Sequence, residues 1–300
     1  MRYVAAVDIG GTDIKSALVD ENFSIIKTLT TPTPKEDPSG EKTIAAIANL
    51  VAQLSTDHVI AAVGMAVLGV FDDSTGVCIW SGNLNWHNLP LRQMLESRLN
   101  LPVAAGHDIR TAGLAEWRQG SAQGYTNAIF IAIGTGMSAA LILDGKILSA
   151  GGYAGEIGHL NINGKYPCVC GKTGCLEAAA SALAIKKTYE SRTGETNVTT
   201  EEIYQLVLKK DATAIEIWSD ATLAMARACL ALTTILAPES IIFGGGLLNS
   251  GRTFLDPISE FLDAEITFQK KPKLEIAHFG SKAGTIGCAI LAFDLLKVRS

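Results

Sequence analysis

The sequence predicts an α/β protein made of two lobes built on one plan. Three observations carry this reading. An apolar segment, a glycine turn and a second apolar segment open the chain at 3–20, and the same layout returns at 127–145. Between and after them, short β-rich runs alternate with segments of helical apolar spacing. A further apolar run, ESIIFGGGLL at 239–248, again ends in glycines. Two lobes on one plan, each with a glycine turn, imply a ligand in the cleft between them.

The elements follow in order. YVAAVDI (3–9), IKSALVD (14–20) and FSIIKTLTT (23–31) are joined by Gly or Glu-Asn turns and read as an antiparallel meander. A Pro-rich loop, 31–40, leads to EKTIAAIANLVAQLS (41–55), whose apolar residues recur at helical spacing. HVIAAVGMAVLG (58–69) is almost continuously apolar, as a strand covered on both faces must be. A helix at 89–100, a strand at 101–108 and a helix at 109–120 come next. NAIFIAIGTG (127–136) and MSAALILDG (137–145) repeat the opening. Helices dominate 176–236, and the Ala/Leu-rich run near 221–237 carries Arg227 and reads as a buried helix, not a membrane span. KLEIAHFG (273–280) is a strand and AGTIGCAILAFDLLK (283–297) a closing helix. The expected division is a small N-terminal lobe, 1–110, to which the closing helix at about 286–300 returns, and a larger lobe, 111–285.

Composition narrows the function classes. Apolar residues form 48% and charged residues 18% of 300, enough for a sizeable core and too apolar for disorder. A net charge of −5 without a basic cluster argues against nucleic acid as a partner. MRYVAAVDIGGT lacks the charged segment, apolar run and cleavage site of a leader, and no membrane partner is expected. The expected location is the cytoplasm, where six cysteines would stay unpaired. Cys78, Cys229 and Cys288 sit among apolar neighbours as small core residues.

Five motifs carry chemistry. In DIGGT, Gly10 and Gly11 let backbone N–H groups approach an anion, Thr12 adds a hydroxyl donor, and Asp8 at the strand end suits Mg²⁺ through water. A plain hairpin turn would use the same glycines. Gly134, Thr135 and Gly136 occupy the matching place in the repeat, and Gly244, Gly245 and Gly246 after a strand suit close approach to a nucleotide. Asp108, at a strand end, suits a general base; Asp is also a favoured helix N-cap, and one residue can be both. Cys168, Cys170 and Cys175 can converge on one zinc, whose closed tetrahedral site requires a fourth ligand.

DIGGT, IGTG, AGEIGH, CVCGKTGCLE and FGGGL, in this order, resemble the ROK family (repressors, open reading frames and sugar kinases) across nearly the whole chain. The resemblance implies the two-lobe sugar-kinase/actin-like (ribonuclease H-like) fold, with a duplicated core and a cleft. It implies ATP-dependent phosphorylation of a hexose, glucose or an N-acetylhexosamine such as N-acetylmannosamine, with MgATP as donor and a homodimer or homotetramer as the assembly. GHDIRTAGLAE resembles the family's catalytic segment, which makes Asp108 the base that takes the sugar hydroxyl proton during attack on the γ-phosphorus. His159 matches the family's histidine ligand, completing a His-Cys₃ structural zinc with no open position for water. Glu156, Glu177 and the other ring nitrogen of His159 are then sugar contacts, as is Asn83 in SGNLNW, with Trp86 closing the pocket. MgATP would lie over turns 10–12 and 134–136, with its nucleoside near 244–246. The chain departs from the family at His107, where Asn is usual; His107 is expected to touch the sugar and to bear on which sugar is taken. MSAA after IGTG and VLG at 67–69 are further departures. Two alternatives stand beside this reading. One is a sugar-responsive regulator of the same family without its DNA-binding domain; a strand beginning by about Tyr3 leaves no room for a helix-turn-helix. The other is a kinase using another donor, such as polyphosphate.

Overall fold

The computed structural model describes residues 2–299. The chain opens with β1 (Tyr3–Ile9), β2 (Asp13–Asp20) and β3 (Ile25–Pro32), then α1 (Glu41–Leu54) and β4 (Ile60–Val67). Three short strands, β5 (Val70–Asp72), β6 (Val77–Ser81) and β7 (Trp86–Leu89), form a small sheet of their own. Then come α2 (Leu91–Leu99), β8 (Val103–His107) and α3 (Asp108–Gln119). The second block has β9 (Ala128–Ile133), β10 (Met137–Leu143) and β11 (Lys146–Ile147). Helices α4 (Leu176–Ala180), α5 (Ala182–Thr193), α6 (Thr200–Leu208) and α7 (Ala212–Leu236) follow. β12 (Ser240–Gly244), α8 (Arg252–Glu265), β13 (Lys273–Ile276) and α9 (Ala283–Arg299) complete the order.

The repeat in the sequence is a repeat of topology. One sheet runs β3-β2-β1-β4-β8 and the other β11-β10-β9-β12-β13. In each, the first strand of its block pairs antiparallel with the next, β1 with β2 and β9 with β10. In each, that strand also starts a parallel set, β1–β4–β8 and β9–β12–β13.

Contacts divide the chain into two units: residues up to 118 with 147–154 and those from 281 onward, and residues 119–146 with 155–280. The division expected after residue 110 would cut α3. A hydrogen-bonded helix moves as one body, and all but its last residue stays with the first unit. Segment 147–154 also joins that unit, where Arg110 holds the carbonyl oxygens of Gly152 and Ala154.

In the first unit, β1 shows why a two-sided strand reads as continuously apolar. Ala5, Val7 and Ile9 join one buried cluster with residues of α1 and α2, while Val4 and Ala6 join another with Cys288, Ala289 and Ala292 of α9. α9 lies so close to β4 that a Cβ on Gly64 would stand 1.8 Å from the Cys288 carbonyl oxygen. Backbone cannot yield as a side-chain tip can. Gly64→Ala is therefore expected to cost about 1–3 kcal/mol or more by overpacking, read as a lower urea midpoint. An unchanged midpoint would show that α9 does not seat this closely.

In the second unit, α7 is the central helix, with α4, α5, α6 and α8 packed on it. The buried helix expected near 221–237 is its C-terminal part. By length and composition alone α7 could span a membrane, but half of its apolar window is buried inside the unit. α8 had no counterpart in the sequence reading, and it contains Pro257. Proline removes the amide that would bond the Thr253 carbonyl four residues earlier. The Trp218 indole N–H donates to that carbonyl instead, at 3.3 Å.

Candidate functional site

His107 ends β8 and Asp108 begins α3. The His107 ring is buried. Its Nδ1 accepts the Arg110 backbone N–H at 3.4 Å, and its Nε2 lies 3.2 Å from Asp108 Oδ1. Asp108 Oδ1 also accepts the Ile109 N–H at 2.7 Å. The helix cap expected of Asp108 is thus taken by the preceding imidazole, which reaches the third amide of α3 as a capping acceptor does. The Asp108 side chain keeps 32% of its surface exposed. Burial, helped by the Arg110 cation and opposed by Asp73, pushes His107 down to about 4. It is neutral at pH 7, and since Nδ1 accepts, Nε2 carries the proton.

Asp73 and Arg110 brace this corner, and sequence reasoning missed both. Asp73 Oδ1 accepts the His107 backbone N–H at 2.8 Å, and Oδ2 accepts Arg110 Nε–H at 2.7 Å. Arg110 is buried and donates further to the Phe71 carbonyl at 2.6 Å and the Gly152 carbonyl at 3.3 Å. An acidic pair at 72–73 reads as an ordinary turn. Nothing local ties it to an arginine 37 residues away.

The first glycine turn is held by Thr33, whose hydroxyl donates to the Gly10 carbonyl at 2.7 Å and whose amide donates to the Thr12 carbonyl at 2.8 Å. Gly11 and Thr12 are exposed, and Asn83 is exposed beside them: a Cβ on Gly11 would meet Asn83 Nδ2 at 3.8 Å. Burial raises the Asp8 carboxyl, against the lowering pull of Lys15 on the paired strand. A desolvated carboxylate beside a glycine turn with free space over it suits a cation. Trp86 does not close a pocket. It is fully buried in the core, and its indole N–H donates to the Asp37 carbonyl at 2.7 Å.

In the second unit, the turn at 134–136 is closed by Gly134 N–H to the Gly136 carbonyl, 3.0 Å. Glu177, in the first turn of α4, accepts the Met137 N–H through Oε2 at 2.9 Å, so this carboxylate and the turn are one local structure. Gly245 has φ of +102°, and a Cβ there would stand 2.0 Å from the Ile133 carbonyl oxygen. Only glycine lets the third turn abut the end of β9. A cavity of about 340 Å³ lies over Gly134, Thr135 and Gly246, walled by Tyr204 and Trp218, whose ring centroids are 5.6 Å apart. A larger one, about 550 Å³, runs from Thr135 and Glu177 past Cys168 to Lys187 and Arg192. Glu156 is exposed at the start of the single 3-10 turn Ile157–His159.

His159, Cys168, Cys170 and Cys175 bring one ligand atom each within 4.8 Å of one another, and no other such group occurs among the described residues. Cys168 Sγ lies 3.7 Å from His159 Nδ1, and Cys170 Sγ lies 3.6 Å from Cys175 Sγ. A tetrahedral zinc, with Zn–S of about 2.3 Å and Zn–N of about 2.0 Å, sets its ligand atoms about 3.5–3.8 Å apart. The donor set and both spacings fit that ion. Burial and the neighbouring thiols push Cys175 up to about 12, so a nearby cation would favour its thiolate. Nδ1 faces the sulfurs, which leaves Nε2 as the second ring nitrogen of His159.

Comparison with known proteins places the chain. The model of the ROK family matches residues 4–294. A glucokinase of Halalkalibacterium halodurans is 31% identical over 308 residues, covering 95% of this chain and 93% of the relative. An N-acetylmannosamine kinase of Escherichia fergusonii is 30% identical over 295 residues, covering 96% and 97%. The crystal structure of a ROK family glucokinase from Streptomyces griseus, in complex with glucose and AMPPNP, superposes with a TM-score of 0.83 at 29% identity. That match covers 97% of this chain and 99% of the other. The chain with these duplicated sheets is therefore a two-lobe, actin-like protein that belongs to the ROK family.

Proposed function

We propose that this chain transfers the γ-phosphoryl group of ATP to a hydroxyl of a hexose, glucose or an N-acetylhexosamine such as N-acetylmannosamine, with Asp108 as general base. That it is a sugar kinase follows from its family and its glucokinase relatives. The observation that carries the base assignment is the Asp108 carboxylate, at the C-terminal end of a parallel strand, part exposed and relieved of capping by His107. It accepts the hydroxyl proton as the sugar oxygen bonds to the γ-phosphorus and the bond to the β–γ bridging oxygen breaks, releasing ADP.

Each unit presents its own share of the binding groups. The first offers Gly10, Gly11 and Thr12 as phosphate donors, Asp8 for Mg²⁺ through water, and Asn83 for the sugar. The second offers Gly134, Thr135 and Gly136 to phosphate and Glu156, Glu177 and His159 Nε2 to sugar hydroxyls. The cavity over Gly246, with its Tyr204 and Trp218 wall, suits a purine ring next to Gly244 and Gly245. Zinc supplies no chemistry to the transfer; a metal-held Nδ1 fixes the direction in which His159 offers Nε2. ATP as donor is supported by the AMPPNP complex of the relative. We place the protein in the cytoplasm, where ATP is supplied and its unpaired cysteines persist, as a homodimer or homotetramer.

The test is a coupled ADP-release assay with MgATP against glucose, mannose, fructose, allose and N-acetylmannosamine, with polyphosphate as a second donor read by direct detection of the sugar phosphate. Sugar-dependent ADP release with glucose or N-acetylmannosamine is the expected result. No release above the sugar-free background across the panel would overturn the reading.

A further inference from the structure

We infer that His107 is a positioning residue for Asp108: its imidazole, pinned at Nδ1 by the Arg110 amide, donates its Nε2 proton to Asp108 Oδ1 and sets the orientation in which that carboxylate meets the sugar hydroxyl. This rests on the proposed role of Asp108 as base. It replaces the expectation that His107 touches the sugar. The His107 residue is only 5% exposed; its Nδ1 accepts a hydrogen bond and its Nε2 stands 3.2 Å from Asp108 Oδ1, both within the first unit. A sugar hydroxyl would have to come between the ring and these neighbours to reach it.

The ring has little freedom to do anything else. Its backbone amide is held by Asp73 Oδ1, and Asp73 is held in turn by the buried Arg110 guanidinium. Its Nδ1 acceptor role selects one neutral tautomer, Nε2–H. The charged groups that face it are Arg110, Asp73 and Asp108. Arg110 and burial both oppose an imidazolium. A neutral donor orients a carboxylate without the positive charge that would weaken it as a base.

Two isosteres separate the two ends of the ring. An Asn amide reaches about as far as Nδ1, so His107→Asn keeps a capping acceptor and loses the donor to Asp108. A Gln amide reaches about as far as Nε2, so His107→Gln keeps that donor and loses the cap. With MgATP and glucose, or the panel sugar that turns over fastest, His107→Asn is expected to lower kcat about tenfold with the sugar KM within about twofold. His107→Gln is expected to recover most of that loss while lowering Tm. Wild-type kcat in His107→Asn, or a change confined to sugar KM, would overturn the inference. Asp108→Asn, assayed in parallel, separates the two readings. If it turns over like wild type, the base assignment falls and this inference with it; if it is inactive while His107→Asn is not impaired, this inference alone falls.

A spectroscopic readout needs no sugar. In ¹⁵N-histidine-labelled protein, the signals lost in His107→Asn should report the Nε2–H tautomer at pH 7, and Asp108→Ala should move the Nε2 signal more than Nδ1. The opposite tautomer, or a protonated ring at pH 7, would be decisive against it.

Discussion

Asp108→Asn lowers kcat by about 10²–10⁴-fold, the range a general base contributes. Three features make this the sharpest expectation for the site. Asn is isosteric with Asp, and its side-chain oxygen can still accept the Ile109 N–H and face His107 Nε2, which lies 3.2 Å from Oδ1. The helix is capped by His107 and the amide oxygen can keep the Ile109 bond, so α3 loses only the favourable charge at its N-terminus, about 0.3–1 kcal/mol. What disappears is the capacity to take a proton. The loss corresponds to about 3–5 kcal/mol of transition-state stabilisation. Hexose affinity, measured by calorimetry, should stay within a few-fold, and Tm should be nearly unchanged. Turnover within tenfold of wild type would remove Asp108 from the chemistry and direct attention to Glu156 or Glu177.

Loss of the metal is the second large effect. Cys175→Ser should purify with almost no zinc, against about one zinc per chain in the wild type, and its Tm should fall by about 10 °C. Cys175 is buried, pairs across a β-bridge with Asn161, and immediately precedes α4, which carries Glu177. Loosening the loop from His159 to Cys175 therefore disturbs two proposed sugar groups at once. Sugar KM is expected to rise more than kcat falls, because the site has no open position at which zinc could activate water. Wild-type protein purified without chelator and free of metal by elemental analysis would refute the zinc assignment. A metal-free variant with unchanged Tm would show that the loop holds itself.

Much of the site was legible because its signals are local. The glycine turns stand at strand ends that apolar runs announce. The cysteines lie within eight residues, and a cluster so dense points to one ion whatever the surrounding fold. The repeated strand–turn–strand layout at 3–20 and 127–145 foretold two sheets of equal topology, since neighbouring antiparallel strands are set by chain order. The short strands β5 to β7 were not legible: at three to five residues each they give no period to count. α8 was missed where a proline sits in mid-helix, tolerated because Trp218, 35 residues away, satisfies the carbonyl it frees.

Resemblance to the ROK family singled out Asp108 and His159, whereas the sequence by itself determined the two-lobe plan, the placing of the glycine turns at strand ends and the clustering of three cysteines. Those rest on residue type and spacing along the chain, which folding does not alter. Only the tertiary structure decided what surrounds His107 and Trp86. Trp86 was free to line a pocket until Asp37, 49 residues away, took its indole N–H in the core. His107 read as a candidate sugar ligand; in the fold Asp73 accepts its backbone N–H, the Arg110 amide occupies its Nδ1, and its Nε2 lies 3.2 Å from Asp108 Oδ1, which is what suggests a positioning role instead. A side chain that can donate, accept or simply fill space has its role chosen by its partners, and those partners meet only when distant segments pack.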